Sequence, residues 1–388
     1  MRNCILLILL GITTSCQTKS SGDDTPVEKS REARGADFMV ADTIFFHLDD
    51  SLVVNNRTQV QYLPAKQSIV FFDNNFNRVV FYKLNRAVAD GVRHLPSFSE
   101  RQNKKIYGLL YDESGDGVYY KQLFEEGSGI VSYNFNTRLH EIFLLKKRQD
   151  IFESRTAPDP FIANTSPMFS SDSALVFSGL LLGEDPQYRD HTRKTFGRID
   201  LKTHNVKYFI NYPEEYYKKN WAGEAYLFLY TCKFKDNDIL VSFPASHSLY
   251  ILRNDSLLKM NGTNPLQQPE ILPMEMDRKS FQKRKTKQMI LDFYTRNYSY
   301  QGVFYIPGKK RIARILELPV PEKVKLYDLY VKPAKLLIFD ENFNFLKEVF
   351  LPDYVSRDNY FVTEKGIYFY NKHNENENKA QYLLFSDL

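Results

Sequence analysis

The sequence predicts an all-β fold and, within that class, a β-propeller of six four-stranded blades closed by an N-terminal strand. Three observations predict it. Aromatic content is high and lopsided, with 30 Phe and 26 Tyr against one Trp. Phe and Tyr pack well on a pleated surface and favour strands. From Asp42 onward, short runs of β-branched, aromatic and aliphatic residues alternate with Asn, Asp, Gly and Lys, the pattern of strands and turns. The resulting hairpins recur at intervals of roughly 50 to 65 residues, which suits a four-stranded unit repeated around a ring.

The first element is a leader, residues 1–15. Arg2 precedes an apolar run from Ile5 to Ile12, followed by Thr13, Thr14 and Ser15 and then Cys16. A charged start, a short apolar middle and small residues before the cut are the order of a secretory signal peptide. The run is far shorter than the roughly 20 residues a membrane-spanning helix needs. Cys16 stands where a bacterial lipoprotein becomes lipidated. Thr13 replaces the Leu usual three positions before that cysteine, while Ser15 offers the small side chain the peptidase requires. An ordinary secreted protein cut nearby is the alternative. Residues 16–37 follow as a polar tether with Ser20, Ser21, Gly22, Asp23, Asp24 and Pro26. A stretch with so little to bury cannot offset its ordering entropy and is expected to be disordered.

Residues 38–388 form the expected propeller domain. Its blades are read as Gln59–Leu95, Lys105–Leu145, Ser166–Tyr212, Tyr226–Met260, Tyr298–Leu351 and Asn359–Phe385, with seven blades as the alternative count. The last unit has three strands, and the isolated run Thr43–Leu48 is expected to supply its fourth. That clasp would close the ring and leave no unpaired sheet edge there. The segment Phe72-Asp73-Asn74-Asn75-Phe76-Asn77 returns as Phe339-Asp340-Glu341-Asn342-Phe343-Asn344, with fainter versions at Asn134–Thr137 and Asp200–Thr203. Asp and Asn suit such turns because they bond their own backbone and tolerate left-handed dihedrals. A helical insertion is expected at 275–293, between blades four and five, with weaker helical patterns at Lys146–Arg155 and Glu214–Trp221.

Composition narrows the function classes. The net charge of +5 is mild for this length and does not point to a nucleic-acid partner. With Cys4 in the leader and Cys16 assigned to lipid, Cys232 alone remains, so no intramolecular disulfide and no disulfide-linked partner is expected. Cys232 lies in an apolar run and reads as a buried thiol. Asp112-Glu113-Ser114-Gly115-Asp116-Gly117 resembles the first half of a calcium loop, but its twelfth position is Leu123 rather than the bidentate Glu, and a hairpin turn is the expected structure. The seven histidines are scattered singly and Cys-x-x-Cys is absent, so no metal site and no cofactor is assigned. Neither a G-x-S-x-G elbow nor a sialidase-type Asp-box occurs, and no catalytic residue is assigned.

Two candidate binding features stand out. Arg278, Lys279, Lys283, Arg284, Lys285 and Lys287 form a basic segment that would attract anionic partners such as lipid phosphates or acidic glycans. Trp221 with Tyr216 and Tyr217 would make a sugar-stacking platform if exposed, or a loop tucked onto the propeller if buried.

The leader ending in cysteine, the polar tether, the block Tyr300–Pro307 followed by Arg311 and Arg314, and the hairpin Leu336–Phe350 together resemble an uncharacterised (domain-of-unknown-function) family of Bacteroidetes lipoproteins with six-bladed, NHL-like propellers. Asp23-Asp24 likewise resembles the export signal of surface lipoproteins in such bacteria. The resemblance implies a fold and an address, at the outer membrane or cell surface, and transfers no catalytic residues. The expectation is a lipid-anchored, non-catalytic binding or assembly module for a glycan or an envelope protein. The competing expectation is an exported enzyme acting on glycans or related polymers at the propeller channel.

Overall fold

The computed structural model describes residues 40–388 apart from positions 49–51, 57, 87, 100–104, 126, 146–157, 172, 181–192, 223 and 321–331. The leader, Cys16, the tether and the helical pattern at Lys146–Arg155 lie outside the described residues.

Six antiparallel sheets follow one another along the chain. Blade one holds β2 (Gln59–Leu63), β3 (Ser68–Asp73), β4 (Arg78–Lys83) and β5 (Ala89–His94), and blade two β6 (Ile106–Asp112), β7 (Gly117–Leu123), β8 (Ser128–Asn134) and β9 (His140–Leu144). Blade three holds β10 (Asp159–Pro160), β11 (Phe169–Ser170), β12 (Ala174–Leu180), β13 (Lys194–Asp200) and β14 (Val206–Asn211). Blade four holds β15 (Tyr230–Lys233), β16 (Ile239–Ser242), β17 (Ser248–Arg253) and β18 (Ser256–Asn261). Blade five holds β19 (Ser299–Ile306), β20 (Arg311–Glu317), β21 (Ala334–Asp340) and β22 (Phe345–Leu351). Blade six has β23 (Val355–Thr363), β24 (Gly366–Asn371) and β25 (Lys379–Phe385), completed by β1 (Asp42–His47).

The clasp is as the sequence predicts. β1 pairs antiparallel with β25, from Asp42 opposite Leu384 to His47 opposite Lys379. Phe46 carries the joint across to the next blade, its ring meeting Phe71 at 5.5 Å, Tyr82 at 5.3 Å and Tyr382 at 5.8 Å between centroids. The first and last parts of the chain thus share both a sheet and a core. Six hydrophobic clusters fill the gaps between neighbouring blades, so the core is a ring of wedges rather than one centre. Burial on both faces explains why β3 reads as a nearly continuous apolar run.

The first strands of the blades meet at the axis, as the contacts between β2 and β6, β15 and β19, β19 and β23, and β23 and β2 show. Between blades one and two, Gln61 Nε2 donates to the Tyr111 carbonyl at 2.9 Å and Gln61 Oε1 accepts from the Tyr111 N–H at 2.9 Å. A side-chain amide there replaces a backbone ladder. The inner strands β6, β19 and β23 each carry a bulge in the half nearest the connections between blades.

Three details differ from the sequence reading. Blade three begins at Asp159 rather than Ser166, because its first strand is broken into β10 and β11, both paired with β12. The insertion is two helices, α1 (Arg278–Arg284) and α2 (Lys287–Arg296), rather than one over 275–293. Thr286 ends the first run and caps the second, accepting from the Met289 N–H at 3.1 Å, while Asp277 caps α1 through the Ser280 N–H at 2.9 Å. The recurrent Asx turn is not a marker of blade position. It joins the second and third strands in blade one, at Asp73, but the third and fourth in blades two, three and five, at Asn134, Asp200 and Asp340. In each turn the leading side chain accepts backbone N–H groups two and three or four residues on. The motif encodes a tight hairpin, which any strand pair can use.

Candidate functional site

The break in the first strand of blade three builds the centre of the molecule. Residues 161–168 leave the sheet between β10 and β11. The Asn164 side chain accepts from the Val60 N–H of blade one at 2.7 Å and donates to the Thr58 carbonyl at 2.9 Å and to the Asp358 carbonyl of blade six at 2.8 Å. Tyr360 of blade six donates its hydroxyl to the Asn164 carbonyl at 3.1 Å. The Thr231 N–H of blade four donates to the Thr165 carbonyl at 2.9 Å. On blade two, Gly108 has φ +80°, and a Cβ there would stand 2.5 Å from the Ile162 carbonyl oxygen. A segment in contact with the inner strands of four other blades lies on the axis. Its stem is fastened by Asp159, which accepts from Lys121 Nζ and, at 2.6 Å, from Ser128 Oγ.

Beside this plug, blades five and six and α2 bring charges together. Glu317 ends β20 and is 3% exposed. Its Oε1 accepts from Arg357 NH1 at 2.8 Å, and its Oε2 accepts from Ser299 Oγ at 2.7 Å and Tyr294 OH at 2.5 Å. Lys332 Nζ lies 3.6 Å from the same oxygen and donates to the carbonyls of Tyr294, at 3.0 Å, and Asn297, at 2.6 Å. A cation among the last carbonyls of α2 is favoured by the helix dipole. Arg357, 8% exposed, also donates NH2 to the Lys332 carbonyl and leaves Nε buried without a partner. Burial pulls the Lys332 ammonium down to about 8, opposed by the attraction of Glu317. Burial raises the Tyr294 and Tyr230 phenols well above their ordinary range, and the Glu317 carboxylate adds to both.

A second buried cation joins blades four and five. Arg314 is fully buried and donates to Ser242 Oγ at 2.9 Å and to the carbonyls of Gly262 and Ser246 at 2.8 and 2.9 Å, and of His247 and Phe243 at 3.2 Å. Its guanidinium stacks 3.6 Å from the Tyr300 ring. Burial lowers its pKa to about 10. Carbonyls and a π face, rather than a carboxylate, hold this charge.

The structure brings the two sequence-selected features onto one side of the molecule. Arg278 Nε donates to the Lys219 carbonyl at 2.7 Å and NH2 to the Tyr216 carbonyl at 3.4 Å, tying α1 to the segment before blade four. Tyr216 and Trp221 are 2% and 5% exposed. Trp221 stacks on Tyr226 at 5.4 Å, and Tyr226 meets Phe293 of α2 at 5.5 Å. These rings are packed against the propeller, as the tucked-loop alternative requires, with no open face for a sugar. Tyr217 is half-buried. Lys279, Lys283, Arg284, Lys285 and Lys287 are exposed. Glu214–Trp221 holds only a 3-10 turn, Glu214–Tyr216.

Asp112–Gly117 is a hairpin turn, and Asp116 is taken by Arg93 at 2.7 Å, Lys66 at 3.4 Å and the Tyr111 hydroxyl. Those partners hold its carboxyl down at about 2, against the opposing effect of its partial burial. Cys232 is packed in the interface of blades four and five, and burial raises its thiol far above the ordinary range. Sequence reasoning did not reach Asn164 or the Glu317–Arg357–Lys332 cluster. The one local signal was a carboxylate closing an apolar strand run at Glu317.

Comparison with known proteins bears on the fold. The family described as Domain of unknown function (DUF4221) matches residues 115–349. A crystal structure of a member of that family from Bacteroides vulgatus is 15% identical, covers 90% of this chain and 97% of its own, and superposes with a TM-score of 0.69. A Bacteroides fragilis protein described as exported is 10% identical, with coverage of 91% and 97% and a TM-score of 0.56. No curated protein matches the sequence.

Proposed function

Since the chain belongs to the DUF4221 family of β-propellers, we propose that it is a membrane-anchored envelope lipoprotein acting as a non-catalytic binding or assembly module. The observation that carries this reading is the bridge across the axis. The loop through Asn164 bonds across the axis to blade six and to blade one, and through Thr165 to blade four, and the carboxylate beside it, Glu317, is occupied by Arg357, Ser299, Tyr294 and Lys332. A glycoside-hydrolysing site of the common kind would need two carboxylates free to face a scissile bond. A ring whose axis is bridged in this way offers its connecting loops instead, a surface suited to holding a partner.

The Cys16 position and the polar residues after it support the anchor. Among the described residues no helix is long and apolar enough to cross a membrane. The test has two arms. Cys16→Ala in the full chain is expected to move the protein from the membrane to the soluble fraction, and unchanged partitioning removes the anchor. The purified protein, incubated with a panel of envelope and host glycans, is expected to retain ligands without releasing products. Release of products by the parent protein, absent from a heat-denatured control, establishes the competing reading, an exported glycan-active enzyme.

A further inference from the structure

The corner where α1 gives way to α2 carries Lys283, Arg284, Lys285 and Lys287 within five residues, with Lys279 one turn upstream of Lys283. All are exposed, and none makes an ion pair with a described residue. Helix stability explains only part of this arrangement. Lys283 and Arg284 end α1, where the terminal carbonyls favour cations, but Lys279 and Lys287 lie in first turns, where free N–H groups disfavour them. Neither first turn contains an acidic residue. Apart from the Asp277 cap of α1, the fold therefore bears a concentration of positive charge that no ion pair with a described residue offsets.

We propose that this cationic corner is a docking surface for an acidic polysaccharide. The inference deepens the binding-module reading and rests on it for the cellular setting. Two observations favour a polyanion in solution over a lipid surface. Interfacial helices insert apolar side chains, but here Phe281 is buried and Phe293 packs into the cluster between blades three and four. The chain also enters the propeller at Asp42, at the end of the blade-six sheet that carries the Thr363–Gly366 hairpin. The helices belong to a connection between blades, at the other end of the sheets. Asp42 and the cationic corner therefore lie at opposite ends of the blade sheets.

The test uses the purified full chain carrying Cys16→Ser, titrated with heparin and with polygalacturonate at low and high salt, and with phosphatidylglycerol vesicles. Binding to at least one polysaccharide is expected, weakened by salt. The triple variant Lys283→Glu/Lys285→Glu/Lys287→Glu should lose about tenfold or more in affinity, whereas Lys202→Glu/Lys309→Glu/Lys365→Glu, the same charge change elsewhere, should lose less than about threefold. The first variant should still unfold in a single cooperative transition, since all three side chains are exposed. Equal losses in the two variants, no polysaccharide binding at low salt, or binding to vesicles alone would each overturn the proposal. Such a result removes this surface and leaves the binding-module reading to its own partitioning and turnover assays.

Discussion

Asn164 of blade three donates its side-chain amide to the backbone carbonyl of Asp358 in blade six, 2.8 Å away. In a ring of six, blades three and six face each other, so this bond crosses the axis. The same side chain holds blade one through Val60 and Thr58. Propeller blades otherwise touch only their neighbours. Asn164 therefore couples parts of the ring that wedge packing leaves independent.

Asn164→Ala should destabilise the domain by about 1–3 kcal/mol, the cost of stranding polar groups that lose their partners. Urea unfolding monitored by intrinsic fluorescence reads this directly. A midpoint equal to that of the parent protein means that the cross-axis bonds contribute nothing net.

The Glu317 cluster predicts two effects. Glu317→Gln leaves the buried Arg357 and Lys332 without their carboxylate, and removing one member of such a group typically costs about 3–5 kcal/mol. Lys332 also sets a pH dependence. Its folded value is lowered from 10.5 to about 8. Below that range both states hold the proton and the burial cost is felt in full. Within it, the unfolded chain keeps a proton that the folded chain has released, so rising pH favours the fold. Stability measured by urea titration between about pH 8 and about pH 9.5 should rise more steeply in the parent than in Lys332→Met. The comparison stops there because buried tyrosines such as Tyr294 act in the opposite direction once their unfolded counterparts ionise near 10. Parallel slopes would show that Lys332 is not the group responsible.

Arg314→Lys tests whether charge or shape matters between blades four and five. An ammonium keeps the charge but cannot reproduce the planar fork that meets Ser242 and four carbonyls and stacks on Tyr300. Each buried acceptor left without a donor costs about 1–3 kcal/mol. The thermal midpoint should drop by several degrees, and full retention in the Lys variant would assign the role to charge alone.

Phe46→Ala should weaken the clasp. The ring is fully buried among Phe71, Tyr82 and Tyr382, and truncations of this kind cost about 3–5 kcal/mol. The exposed edge of β25 then favours self-association. Light scattering on heating should detect it earlier than in the parent, and a variant that melts and scatters identically would refute closure through this residue.

The sequence alone carried the strand pattern, the closing role of Thr43–Leu48, the number of blades and the family. Each is written locally, in alternation of apolar runs and in turn residues whose side chains bond their own backbone. Tertiary structure alone decided the rest. The turn motif at Asp73 and Asp340 looks like one repeat but occupies different strand connections, because a tight hairpin has the same local chemistry anywhere. The plug at Asn164 and the meeting of Glu317, Arg357 and Lys332 join residues far apart along the chain, and no periodicity marks such pairs. Whether Trp221 is exposed or packed depends on what lies against it, and only folding brought Tyr216 and Tyr226 there. Short-range bonding is legible in order of residues; burial and charge pairing are properties of neighbours that the ring assembles.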